Sequence, residues 1–233
     1  IDTVPGVRCE RVTRPIEAVG LYVPGGHTPL PSTALMLAIP ATLAGCPTKV
    51  LCSPPNRNGK IAAAVLFVAK RYGIRLIFKV GGAQAIAAMA YGTESICQVH
   101  KILGPGSPYT VAAQQQVFGV VGIAMLPGPS EIVVLADEGA DPHFVAADLL
   151  SQAEHGWGVA SVCITNCADL AERVQAEVVT QLAGLSRNEI MAQALHEYGA
   201  IVVVPDIEAG VELLNQMAPE HAELLVADPW SWV

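Results

Sequence analysis

In LLSQAEHG (149–156) an amide, Gln152, and an imidazole, His155, stand three positions apart at the end of an apolar run and before a glycine. Residues three apart on a helix share a face, so both side chains can converge on one point. Neutral imidazole is the commonest metal ligand, and an amide oxygen is a weaker, harder one. Zinc needs three or four protein ligands, so this pair is at most half a site. The other reading is a solvated helix end whose histidine is favoured by the C-terminal dipole. Glu154, between the two, points elsewhere. In APEHAELLVADP (218–229), Glu220 and His221 lead straight into a strand-like run. Adjacent carboxylate and imidazole can serve as two separate acid/base groups, or simply make a polar turn before the strand.

Three glycine loops raise a different chemistry: YVPGGHTPLPST (22–33), VGGAQAIA (80–87) and LGPGSPYT (103–110). Each follows a strand candidate and precedes a helix candidate, where backbone N–H groups and the helix dipole receive an anion or a nucleotide. None is GxGxxG or GxxxxGK[ST], so neither standard nucleotide fingerprint is present. Singly, each loop reads as a tight turn or as a ligand cradle; three at successive strand ends point to a ligand cleft. His27 lies in the first loop and can approach a ligand. Ser130, after PGP and before a strand, is a turn residue or a polar contact. His100, His143 and His196 read as surface positions at element ends.

The elements that must carry these groups alternate, short β-rich runs with longer helical patterns, as in a parallel α/β sheet. Strands are expected at 20–24, 49–53, 75–80, 101–104, 131–137, 159–165, 200–205 and 222–227. Most are continuous apolar runs, as for strands covered on both faces. Helices are expected at 32–44 (with Pro40 kinking or splitting it), 60–72, 84–90, 109–118, 142–155, 168–182, 188–198 and 207–217. Asp141 suits an N-cap, Pro142 the first turn and Gly156 the C-terminal stop. The PGPSE segment (127–131) is the expected boundary, with about four βα-like units on either side.

With 52% hydrophobic and 15% charged residues among 233, the chain has ample material for a core and is not a disordered protein. A net charge of −8 argues against a nucleic-acid binder, which needs a basic face. No apolar run reaches the ~18 residues of a membrane span, and no signal peptide opens the chain. Six cysteines with no CxxC pair read as buried thiols of a reducing compartment, the cytoplasm by default.

Taken together and in order, these segments resemble histidinol dehydrogenase. The resemblance rests on VRCERVTRPIEAVGLYVPGG (7–26), STALM (32–36), KVGGAQAIAAMAYGTES (79–95), KILGPG (101–106), GPSE (128–131), DLLSQAEHG (148–156) and PEH (219–221), and runs through the whole chain. It implies two incomplete Rossmann-like lobes in an aldehyde-dehydrogenase-like architecture. Residues 1–19 would form a lead-in belonging to the second lobe, 20–129 an NAD-side lobe and 130–233 a zinc- and substrate-side lobe. It further implies a zinc-dependent, NAD-linked four-electron oxidation of histidinol to histidine through the aldehyde, one hydride going to each of two NAD molecules. On this likeness Gln152 and His155 are zinc ligands that hold a metal also bound to substrate. His221 is the base that deprotonates the alcohol, Glu220 activates the water that attacks the aldehyde, and Ser130 contacts substrate. Tyr22, Gln84 and Ser107 line the NAD site.

The chain departs from that family in places. Ser107 stands where the family usually has Asn. Gln114 and Gln115 replace a usual basic pair, and the stretch before GPSE is shorter. The family's remaining zinc ligands, an aspartate and a histidine, are expected downstream of Val233, and one further substrate contact from the second subunit of a homodimer. The 233 residues alone are therefore expected not to turn over histidinol. Two other readings stand beside this one: a relative acting on another small amino- or sulfo-alcohol, and a non-catalytic nucleotide-binding paralogue.

Overall fold

The structure, a computed structural model, describes residues 2–25, 29–128, 130–156 and 158–233. The chain forms two compact units, Ile1–Pro127 and Gly128–Val233.

The first unit opens with a small antiparallel hairpin, β1 (Asp2–Val4) and β2 (Val7–Arg8). Then follow β3 (Ala18–Tyr22), α1 (Pro31–Leu43), β4 (Thr48–Cys52), α2 (Ala63–Arg71), β5 (Leu76–Phe78), α3 (Gly82–Tyr91), β6 (Lys101–Leu103), α4 (Pro108–Val117) and β7 (Gly122–Ile123). These strands make a parallel five-stranded sheet in the order β5-β4-β3-β6-β7. β3 lies at its centre and is buried along its whole length. Alternation of side chains along a strand explains the two layers. Val19 and Leu21 pack with Ala34, Ala38 and Val65 on one face. Ala18 and Tyr22 pack with Ile86, Met89 and Val117 on the other.

The second unit contains β8 (Glu131–Ala136), α5 (Pro142–Ala153), β9 (Ala160–Thr165), α6 (Ala168–Ala183), α7 (Asn188–Tyr198), β10 (Gly199–Val203), α8 (Ile207–Met217) and β11 (His221–Leu225), with a closing 3-10 turn at Pro229–Trp232. Its four strands are parallel in the order β10-β9-β8-β11. One face of β8 (Ile132, Val134, Ala136) is covered by Val145 and Leu149 of α5 and Leu170 and Val174 of α6. The other face (Val133, Leu135) meets α8 through Val211 and Leu214.

The parallel α/β architecture read from the sequence is therefore present in both units. Pro40 does not split its helix: α1 runs continuously from Pro31 to Leu43. Pro40 lies in the last turn, so most of the helix precedes it, and its own carbonyl still accepts from Ala44 N–H at 2.8 Å. The cysteines are not uniformly buried. Cys46, Cys52 and Cys163 are, and burial pushes the Cys52 thiol up to about 12 and that of Cys163 to about 11. Cys9 and Cys97 are exposed, because they sit in loop segments rather than strands. No described helix is long and apolar enough to cross a membrane.

Candidate functional site

In the first unit, Tyr22 is the node where the glycine loops meet. It ends β3 and is 4% exposed, and its hydroxyl accepts the Gly82 N–H at 3.0 Å, at the start of α3. Its backbone carbonyl lies directly against Gly104, at φ 134°, where any Cβ would overlap it. That position excludes every other residue type, both for space and for backbone conformation. A Cβ on Gly81 would likewise run into the Pro54 ring, so the loop after β5 is pressed onto the loop after β4. The carboxyl ends of β3, β4, β5 and β6 thus gather at one edge, where open parallel sheets bind ligands. Gln84 stands exposed in the first turn of α3. Ser107 is exposed at the N-terminal boundary of α4, its hydroxyl 3.3 Å from that of Thr110.

Sequence reading treated Gln114 only as a lost charge. It is 1% exposed, and its amide N–H donates to the Gly104 carbonyl at 3.2 Å, which fastens the third glycine loop to α4. Its Oε1 is buried without a partner. Nothing in the local pattern distinguishes this buried glutamine from the exposed Gln115 beside it. His27, also singled out from sequence, lies outside the described residues.

In the second unit the candidate residues collect at the opposite kind of edge, the amino ends of the strands. The reason is topological. A helix that links two parallel strands must run back against them, so the end of α5 returns to the edge where β8 begins. Ser130 sits at that edge, half-buried, and its carbonyl accepts the Ala160 N–H at 3.2 Å. The turn after α5 therefore lies on one side of it. β11 starts on its other side, with His221 in register with Ile132. Ser130, Gln152, His155, Glu220 and His221 thus share one end of one sheet.

Asp141 caps α5 by accepting the His143 N–H at 2.9 Å, with Pro142 in the first turn. The helix ends at Ala153 rather than reaching His155, so Gln152 belongs to its last turn and His155 to the turn beyond. That turn is closed by His155 N–H to the Gln152 carbonyl at 3.0 Å and released by Gly156 at φ 100°. Glu154 points away from Gln152, to Arg187 at 3.5 Å. Gln152 is 5% exposed, yet its Nε2 has no partner, while His155 is exposed. The Glu220 carboxylate lies 3.9 Å from the His221 imidazole, and both are largely exposed.

Two residues that the sequence did not single out complete this edge. Glu223 and Asp148 hydrogen-bond through their carboxyl groups, with His221 close enough to act on Glu223 electrostatically. Partial burial first, then the bond to Asp148 and its charge, push the Glu223 carboxyl above the usual range; His221 opposes the shift. Among the described residues, no group of three or more His, Cys, Asp and Glu is arranged to hold a metal ion.

A zinc ion accepts the donors that Gln152 and His155 offer, an amide oxygen and an imidazole nitrogen. A half-turn of the Gln152 amide puts its oxygen where the unpartnered nitrogen now stands. A buried amide atom with nothing to bond is costly, and a cation there would satisfy it.

Comparison with known proteins places the chain. The family profile for histidinol dehydrogenase matches residues 1–233. A histidinol dehydrogenase of Xanthomonas euvesicatoria is 50% identical over 235 residues, which is 100% of this chain and 54% of that protein. The crystal structure of histidinol dehydrogenase from Elizabethkingia anophelis superposes with a TM-score of 0.92 at 45% identity, over 100% of this chain and 54% of that one. An acetylating aldehyde dehydrogenase from Geobacillus thermoglucosidasius shares the fold alone, with a TM-score of 0.59 at 15% identity over 93% of this chain and 61% of its own. The chain spans about half the length of the curated relatives it matches. A profile match from the first residue to the last, with a relative 50% identical over the whole chain, makes the chain a member of the histidinol dehydrogenase family.

Proposed function

We propose that this chain belongs to an NAD-linked, zinc-dependent dehydrogenase that oxidises histidinol to histidine. The observation that carries the reading is the buried, unpartnered Gln152 amide next to His155, at the edge that also holds Ser130, Glu220 and His221. A binding module has no use for a metal half-shell beside a carboxylate–imidazole pair.

On this reading Gln152 and His155 would hold zinc, which would supply a Lewis acid and an anchor for the polar groups of the substrate. Ser130, at the mouth of the sheet edge, holds the substrate by a hydrogen bond. His221 takes the hydroxyl proton as the first hydride leaves for NAD, giving the aldehyde. Glu220 then takes a proton from the water that adds to the aldehyde carbon, while His221 gives its proton to the former carbonyl oxygen. That frees His221 to take the diol proton as the second hydride leaves for a second NAD. The 3.9 Å between Glu220 and His221 lets both groups serve one carbon in turn. Tyr22, Gln84 and Ser107 line the edge of the first unit that receives NAD. The family resemblance also supports a homodimer as the working form.

The test is zinc content and NADH production of the protein expressed from its full reading frame. Histidinol-dependent NADH is expected, with zinc affinity falling ~10-fold or more in Q152A and in H155A. Unchanged zinc affinity and turnover in both variants would overturn the assignment.

A further inference from the structure

The sheet-facing stripe of α5 runs Val145, Asp148, Leu149, Gln152, at helical spacing. Val145 and Leu149 pack on Ile132 and Val134 of β8. On the neighbouring strand, His221 is in register with Ile132 and Glu223 with Val134. Side chains of parallel neighbours in register share a face, so His221 and Glu223 both look toward α5.

The steps along the two elements match. Four residues of helix advance about 6 Å, and two residues of strand about 6.6 Å. α5 runs against β11, so moving from Asp148 to Gln152 and from Glu223 to His221 leads toward the same edge. With Asp148 bonded to Glu223, Gln152 arrives at the level of His221. The carboxyl pair is therefore one rung behind the metal ligand and the base.

We infer that Asp148 and Glu223 are positioning residues, whose carboxyl contact ties α5 to β11 and sets where His221 stands relative to Gln152. This rests on the function proposed above. The tie is needed because little else fixes His221. It opens an edge strand, is itself exposed, and follows Ala218 and Pro219 in a sharp exit from α8, with Ala218 in the left-handed region at φ 46°. Two carboxyl groups bond only when one is protonated. The groups that act on Glu223 are Asp148 on α5 and His221 on its own strand; the paired residue of β8 is the apolar Val134.

The experiment compares E223A, D148A, E223Q and D148N in the full-reading-frame protein, measuring kcat, KM for both substrates, zinc content and melting temperature. In E223Q and D148N an amide N–H can donate to the remaining carboxylate, so the tie persists. Expected is a loss of about 10-fold or more in kcat for both alanine variants, with zinc content and KM for NAD within about twofold of wild type. E223Q and D148N should recover kcat to within about threefold. If E223A does not fold, E223L fills the same space without the bond and takes its place. Full kcat in the alanine variants, or no recovery in the amide variants, would overturn the inference alone. A wild-type protein without histidinol oxidation would overturn both it and the proposed function.

Discussion

Gln152 is buried with an amide atom that has no partner, a state that costs about 1–3 kcal/mol unless something fills the place. The Asp148–Glu223 pair lies at the same edge, and its pH dependence has a definite sign. The folded state raises the Glu223 carboxyl above its ordinary value, mainly through partial burial. A carboxyl raised on folding binds its proton more tightly in the native state. Its contribution to stability is therefore most favourable below the unfolded value and is lost as pH rises through the folded one. E223Q carries no such dependence. Its melting temperature is expected to equal or exceed that of wild type near pH 8, with the advantage vanishing near pH 4. A wild type that gains on E223Q as pH rises would refute this. Stability given up at Glu223 is what a residue kept for positioning should show.

α5 is the element on which the candidate site depends, because its last turn carries Gln152 and the turn beyond it His155. Its start is set by Asp141, whose carboxylate satisfies the His143 N–H. D141A is expected to cost about 1 kcal/mol, seen as a fall of a few degrees in melting temperature, and a smaller loss in D141N. The start of this helix was legible from Asp141-Pro142, and its end was nearly so. Gly156 marked the stop, but the helix closes at Ala153, since a glycine past the end does not say how many residues the closing turn uses. The longer strands were legible as short apolar runs, and the helices as the longer periodic stretches between them. The β1–β2 hairpin and β7 were not, being two or three residues long with no periodicity to read. At the site, Gln152, His155, Glu220 and His221 stood out by residue type and spacing. Asp148 and Glu223 did not, because only the register of β11 on β8 brings them together, and register is not written in either segment alone. Gln114 escaped for a similar reason, its burial being set by the loop that it clamps.

At the scale of the whole molecule, two parallel sheets present their candidate groups at opposite kinds of edge. The first gathers glycine loops at the carboxyl ends of its strands, held by Tyr22 against Gly82 and Gly104. The second gathers the proposed ligand and acid–base groups at the amino ends, because α5 and β11 deliver them there. Under the proposed function, the first edge would hold the nucleotide and the second would handle the protons of the alcohol. The core of each unit stands behind its site. Ile102, fully buried in the first unit, and Leu135, fully buried in the second, are expected to cost about 2–5 kcal/mol each when cut to alanine, measured by chemical denaturation.

The central claim is a four-electron oxidation run by these residues, and the ratio of NADH formed to histidinol consumed tests it most directly. With the protein expressed from its full reading frame, zinc present and histidinol limiting, the ratio is expected to be about two, because each of the two oxidations passes one hydride to one NAD. A ratio of one would mean that the aldehyde is the end product and that Glu220 does not activate water. No NADH at all, from folded and zinc-loaded protein, would contradict the account entirely.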